Sequence, residues 1–220
     1  MEGVMRMITE NSERVYVSTN ISKLGSMIPS VNLPPVVTCR NDAPCRRGCY
    51  GLRGRFAYSK AVQIYRRNLA RYLADPDGYF SDIEAWLHLN PARYFRWHST
   101  GDIVDPYYLD KMVELAEKHR DMKFLCFTKK YEYVNDYITE VREIPNNLTI
   151  VFSAWGLWIP KNPYHLPMSY VRLKNKVGEK NIPKNAIQCS GNCGECVSGL
   201  QNCWNLKPGY PVQSVVFRQH

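Results

Sequence analysis

The chain has 220 residues, enough for one well-cored domain and marginal for two, since domains cluster at about 100–150 residues and α/β barrels reach about 250. Its 45% hydrophobic, 12% aromatic and 22% charged residues exclude wholesale disorder, collagen and coiled coil. Lysine plus arginine exceed aspartate plus glutamate by 29 to 20, a formal +9 that suits a polyanionic partner and that falls where cysteines bind metal as thiolates. Mean hydropathy is -0.40 and no run approaches the roughly 20 apolar residues of a membrane span. The opening MEGVMRMITENSERV lacks the continuous apolar stretch of a signal peptide, so a cytoplasmic protein with no membrane partner is expected.

In chain order, a short strand is expected around Val15–Ser18, followed by loop as far as Pro34-Pro35. The β-branched run Val36-Val37-Thr38 predicts a barrel strand leading straight into TCRNDAPCRRGCYG. That loop carries Cys39, Cys45 and Cys49 as C-x5-C-x3-C, followed by Tyr50. Three thiolates leave one coordination position without a local protein ligand, and an open position is where chemistry happens. Asp42 or the distant Cys126 are the candidates to close it, which would make the centre structural or electron-transferring. The run Arg46, Arg47, Tyr50, Arg53, Arg55, Phe56, Tyr58 interleaves cations with aromatics, as suits phosphate contact with base stacking; the same run equally suits a solvated loop with its rings packed inward.

Helical spacing of Ala61, Ile64, Tyr65, Leu69, Tyr72 and Leu73 predicts a helix over about 59–74, ended by Asp75-Pro76. A second helix is expected over about 78–89, stopped by Asn90-Pro91. The pattern then alternates: strand 94–98, helix 106–119, strand 123–128, helix 131–140, strand 148–153. That order argues for βαβ units and a parallel sheet. Shorter β pieces are expected at 170–173, 186–188 and 215–218, with a proline-rich loop over 159–167. Ligands of parallel α/β sheets sit at the C-terminal ends of strands. The polar segments found there are the cysteine loop, His98-Ser99-Thr100-Gly101-Asp102, Thr128-Lys129-Lys130 and Ser153-Ala154-Trp155. His98 is a candidate general acid/base, with a hydrogen-bonded rim histidine as the plainer role. Asp105 before Pro106 is expected to cap a helix, and Cys126, between Leu125 and Phe127, to be a buried small hydrophobe.

Eight cysteines in a reducing compartment point to metal rather than disulfides. The last four, Cys189, Cys193, Cys196 and Cys203, read C-x3-C-x2-C-x6-C with Gly191, Gly194 and Gly199 between them. They suit a cubane iron–sulfur cluster or a structural zinc. Residues 186–206 are accordingly expected to form a cysteine-rich metal-binding loop appended to a single α/β domain over 1–220.

The strand, the three-cysteine loop ending in Cys49-Tyr50, the Gly101-Asp102 turn and Phe127-Thr128-Lys129-Lys130 look like the radical-SAM-like barrels encoded by bacteriophages. The chain is similar to the phage family called gene product 88 over nearly its full length. The resemblance implies a partial or small (β/α) barrel and a [4Fe-4S] cluster on Cys39, Cys45 and Cys49, with S-adenosylmethionine at the fourth iron. The usual loop of such enzymes is C-x3-C-x2-C with an aromatic before the third cysteine, whereas here the spacing is wider and the aromatic follows. Gly101 and Asp102 would help hold the methionine amine; Ser153 is a further cofactor contact on the same rim, and His98 and Asp102 are the candidate catalytic groups. Cys189, Cys193, Cys196 and Cys203 resemble the auxiliary-cluster loops some such enzymes carry, which favours iron over zinc. The implied activity is cluster-dependent chemistry on a nucleic acid or nucleotide, served by a reductant protein in the host cell cytoplasm. The alternative is a non-catalytic iron–sulfur or zinc protein that binds nucleic acid or a host protein.

Overall fold

A computed structural model describes residues 14–25, 27–140, 142–199 and 202–219. Its strands are β1 (Val17–Ser18), β2 (Ser30–Val31), β3 (Tyr94–Trp97), β4 (Lys123–Thr128), β5 (Leu148–Ser153), β6 (Met168–Arg172), β7 (Ile187–Gln188) and β8 (Ser214–Arg218). The helices are α1 (Ser59–Ala74), α2 (Pro76–Leu89), α3 (Pro106–Lys118), α4 (Tyr131–Thr139) and the single turn α5 (Cys193–Cys196). The strands make one sheet in the order β1-β2-β3-β4-β5-β6-β8-β7, parallel throughout except for β1 against β2. The α/β class is as expected. Among the described residues no pairing joins the edge strands β1 and β7, so the sheet is open.

Side chains alternate strictly across the central strands, as the two-residue period of a strand requires. Val31, Phe95, Trp97, Phe124, Cys126, Ile150 and Phe152 pack on one face with Tyr72 of α1, Tyr79, Phe80 and Ile83 of α2, and Tyr108, Leu109 and Met112 of α3. At its centre Tyr72, Tyr79, Phe80, Trp97 and Tyr108 meet mostly edge to face, with ring centroids 4.9 Å apart for the Tyr72–Tyr108 pair. The opposite face, bearing Leu125 and Val151, is covered by Leu24, Ile28, Trp204 and Leu206. Trp204 and Leu206 therefore lie on the face of the sheet opposite α1, α2 and α3, which they share with Leu24 and Ile28.

Local chemistry explains the element boundaries. Asp75 accepts from Gly78 N at 2.9 Å and Pro76 sits at the first helical position, so α2 starts two residues before the expected Gly78. Asp105 does the same for α3, accepting from Tyr108 N at 2.8 Å, as its position before Pro106 predicts. The expected strand at 36–38 is corrected: the strand that leads to the cysteine loop is Ser30–Val31, and Val36 lies in a turn at φ 70°. Neither Pro34 nor Pro35 has an N–H to donate, so the ladder stops before them despite the β-branched residues that follow.

Candidate metal centre

The loop after β2 is folded back on itself before its cysteines appear. Thr38 donates from N and Oγ1 to the Pro34 carbonyl, at 3.3 and 3.0 Å. Arg46 donates through Nη1 to the Val36 carbonyl at 2.9 Å and to Asn41 Oδ1 at 3.1 Å. Short 3-10 turns follow at Pro44–Gly48, Tyr50–Leu52 and Gly54–Ala57, with Cys45 inside the first and Cys49 joining the first two. The folding brings the three thiols within electrostatic reach of one another, and Cys39 and Cys45 within that of Asp102. Burial, and then the Asp102 charge, push the Cys39 thiol up to about 12. Cys45 is raised chiefly by burial and is opposed by the Lys129 ammonium. Half-buried thiols held in this protonated state are what a cation would reverse, since a coordinated thiol is deprotonated outright. The donor set fits a thiolate-bound metal.

Asp102 ties the rim together. It is 4% exposed; Oδ1 accepts from Thr128 Oγ1 at 2.6 Å and Ile103 N at 2.9 Å, and Oδ2 from Lys129 N at 2.9 Å. Asp102 N donates in turn to Thr38 Oγ1 at 3.0 Å, one residue before Cys39. Burial raises the Asp102 carboxyl, and the Thr128, Lys129 and Ile103 donors lower it. One residue, through its carboxylate and its backbone N–H, thus joins the ends of β3 and β4 to the root of the cysteine loop. Gly101 makes the close approach: its φ is 88°, and a Cβ there would stand 2.7 Å from Leu33 Cβ and 2.8 Å from the Leu33 carbonyl oxygen. Ser153, at the end of β5, accepts from Ser169 Oγ at 3.1 Å, while its carbonyl accepts from Tyr131 OH.

His98 sits elsewhere. At φ 54° its ring turns into the helix-side core, with Nε2 3.0 Å from Tyr108 OH, which is itself 2.8 Å from Tyr79 OH. Burial and the Arg96 charge lower it to about 3, so the ring is neutral. Cys126 is fully buried among core aromatics, as expected of a small hydrophobe. Asp42 is held at the surface by Arg40 Nε at 2.6 Å, and Arg40 also pairs with Glu132.

Cys189, Cys193, Cys196 and Cys203 also interact with one another. Cys193 N donates to the Lys23 carbonyl at 2.8 Å, and Cys189 N to that of Val216 at 2.9 Å, so the first part of the loop is pinned at two points. Burial pushes Cys203 up to about 12, with Arg96 opposing.

Two residues that sequence reasoning passed over organise this region. Arg96 lies 4.2 Å from the Phe127 ring centroid, and its charge acts on Tyr50 on one side and on Cys193 and Cys203 on the other. Its charge thus reaches Tyr50, the neighbour of Cys49, and two cysteines of the C-terminal set. Asn32, buried just after β2, accepts through Oδ1 from Ser99 N at 2.8 Å and Thr100 N at 3.3 Å, holding the turn that carries Gly101 and Asp102. An arginine within the apolar YFRW strand and an asparagine just before Leu33-Pro34-Pro35 were the available signals.

The fold is that of an open, mostly parallel α/β protein that carries Cys39, Cys45 and Cys49 on one loop and Cys189, Cys193, Cys196 and Cys203 on another. The chain belongs to the family described as Gene product 88, whose model matches residues 6–184. The match takes in Cys39, Cys45, Cys49, Gly101, Asp102 and Ser153 and stops short of Cys189, so the family resemblance covers less of the chain than nearly its full length. Searches of curated proteins and of solved structures found no match. Among the described residues no helix is long and apolar enough to cross a membrane.

Proposed function

We propose that this is an iron–sulfur protein built on a radical-SAM-like partial barrel, in which Cys39, Cys45 and Cys49 hold a [4Fe-4S] cluster with one open iron. The observation that carries the reading is the gathering of these three thiols over Asp102 at the C-terminal ends of β3 and β4, where parallel sheets bind their ligands. Cys126 and Asp42, the two residues that would close the site, are engaged in the core and with Arg40. A bound cluster supplies one-electron chemistry, with S-adenosylmethionine as the ligand suited to an open iron. Asp102 and Gly101 hold the rim in shape beside that position, and Lys129 supplies a cation next to Cys45. Cys189, Cys193, Cys196 and Cys203 hold a second cluster that is structural or relays electrons, with zinc as the other ion these four thiolates would accept.

The substrate in this proposal is a nucleic acid or nucleotide in the host cell cytoplasm. Arg47 just before Cys49 and Arg53, Arg55 and Tyr58 after it are exposed, and Tyr50, 47% exposed, meets Phe56 edge to face at 5.6 Å. Cations interleaved with exposed rings are the composition that tracks a phosphate backbone and stacks bases. The reading is tested on protein purified without oxygen, by iron, acid-labile sulfide and zinc per chain and by EPR of the reduced sample before and after S-adenosylmethionine. Iron and sulfide for two cubanes, a signal that changes with S-adenosylmethionine, and loss of that change alone in Cys45→Ala are expected. Zinc alone, or a signal indifferent to S-adenosylmethionine, overturns the enzyme and leaves a metal-stapled binding protein.

A further inference from the structure

A second kind of metal-binding group lies at the other end of the molecule, in a part of the fold the cysteine centres do not use. Glu84 and His88 are four residues apart on α2 and so project from one face. His119 follows the last residue of α3. Both helices end where β3 and β4 begin, so this corner is at the opposite edge of the sheet from the cysteine rim. One ligand atom from each of Glu84, His88 and His119 lies within 4.8 Å of the other two. The two imidazole rings are 5.1 Å apart between centroids.

His119 is held ready. Its N donates to the Leu115 carbonyl at 3.1 Å, and its own carbonyl accepts from Met122 N and Asn147 Nδ2, both at 3.0 Å. Its ring Nε2 is buried with no hydrogen-bond partner. A buried imidazole nitrogen without a partner costs free energy unless something accepts its lone pair or its proton. Glu84 Oε2 accepts from Lys118 Nζ at 2.9 Å, and Lys118 is more than half exposed, so that ammonium can leave at little cost.

We propose that Glu84, His88 and His119 form a site for a zinc-class divalent cation that clasps α2 to the end of α3. Two imidazoles and a carboxylate are a set borderline-soft ions favour, and three protein ligands leave the fourth position to water. Ligand atoms around one tetrahedral zinc stand about 3.4 Å apart, so closure from the present spacing needs only small rotations of the exposed His88 and the half-exposed Glu84. The Lys118 ammonium competes for the carboxylate and is displaced on binding.

The test is zinc per chain by equilibrium dialysis of the full-length protein, wild type against His88→Ala and Glu84→Gln. All seven clustered cysteines are present in each protein, so the difference isolates this site. One zinc fewer per chain in both variants is expected, with circular dichroism unchanged because both positions are at the surface. With cobalt in place of zinc, the wild-type-minus-variant spectrum should show d–d bands without a thiolate charge-transfer band. Equal zinc counts in wild type and variants, or a thiolate band in the difference spectrum, overturns the proposal.

Discussion

Asp102 and His98 belong to one turn and answer the loss of water in opposite ways. Asp102 keeps three donors around its carboxylate; His98 has one hydroxyl partner, and its Nδ1 is buried without one. The neutral ring of His98 then controls stability in acid. A histidine in the unfolded chain takes its proton near pH 6.5, whereas folded His98 resists it down to about 3. Between those values the unfolded state binds more protons, so stability falls as pH drops from about 6.5, by up to about 1.4 kcal/mol per unit for this group. Asp102, raised by burial, partly offsets the loss at the acid end of that window. His98→Asn keeps a residue that tolerates the left-handed backbone and removes the titration. Urea midpoints between pH 7 and 4.5 should fall less steeply in this variant than in wild type; parallel curves would show that His98 does not set the slope. That His98 lies at a strand end was legible from its place after YFRW, but the φ of 54° and the inward ring were not, because its partners Tyr108 and Val31 come from other elements of the fold.

At the scale of elements, the helices follow from their residues more directly than the strands do. Asp75-Pro76 and Asp105-Pro106 carry a cap and a preset φ in two adjacent residues, so α2 and α3 begin where local chemistry says. The strand at Ser30–Val31 has only two residues and no period to read, and it was hidden behind the more β-like Val36-Val37-Thr38. The short 3-10 turn around Trp204 lies on the sheet face opposite α1, α2 and α3. Its Nε1 donates to the Phe95 carbonyl at 3.2 Å, its carbonyl accepts from Thr149 Oγ1 at 3.0 Å, and its ring meets Tyr94 at 5.5 Å. Trp204→Ala should cost about 3–5 kcal/mol in chemical denaturation, from lost burial and a cavity. Because Cys203 precedes it, if the four-cysteine set holds metal as proposed, the metal retained after dialysis against a chelator should fall in the same variant. A loss under 1 kcal/mol would mean that the segment is not anchored through this ring.

For the whole molecule, the +9 formal charge is a long-range property that local contacts only partly cancel. If Arg47, Arg53 and Arg55 meet phosphates, replacing all three with glutamine should flatten the plot of log affinity against log salt by about 2 units for a single-stranded oligonucleotide, since each contact contributes about 0.7. Fluorescence anisotropy between 50 and 300 mM salt, on the order of the range where such slopes are linear, measures this; an unchanged slope places the binding face elsewhere. The sequence by itself determined the α/β class, the order of the central βαβ units and the grouping of seven cysteines into two sets, because period, capping and spacing are local properties of consecutive residues. Tertiary structure alone decided that the sheet stays open, that Asp102 joins two strand ends to the root of the cysteine loop, and that the Arg96 charge reaches both Tyr50 and Cys193. Those facts depend on which faces of distant segments meet, and residues such as Thr38, Asp102 and Thr128 carry no mark of one another until the sheet brings them together.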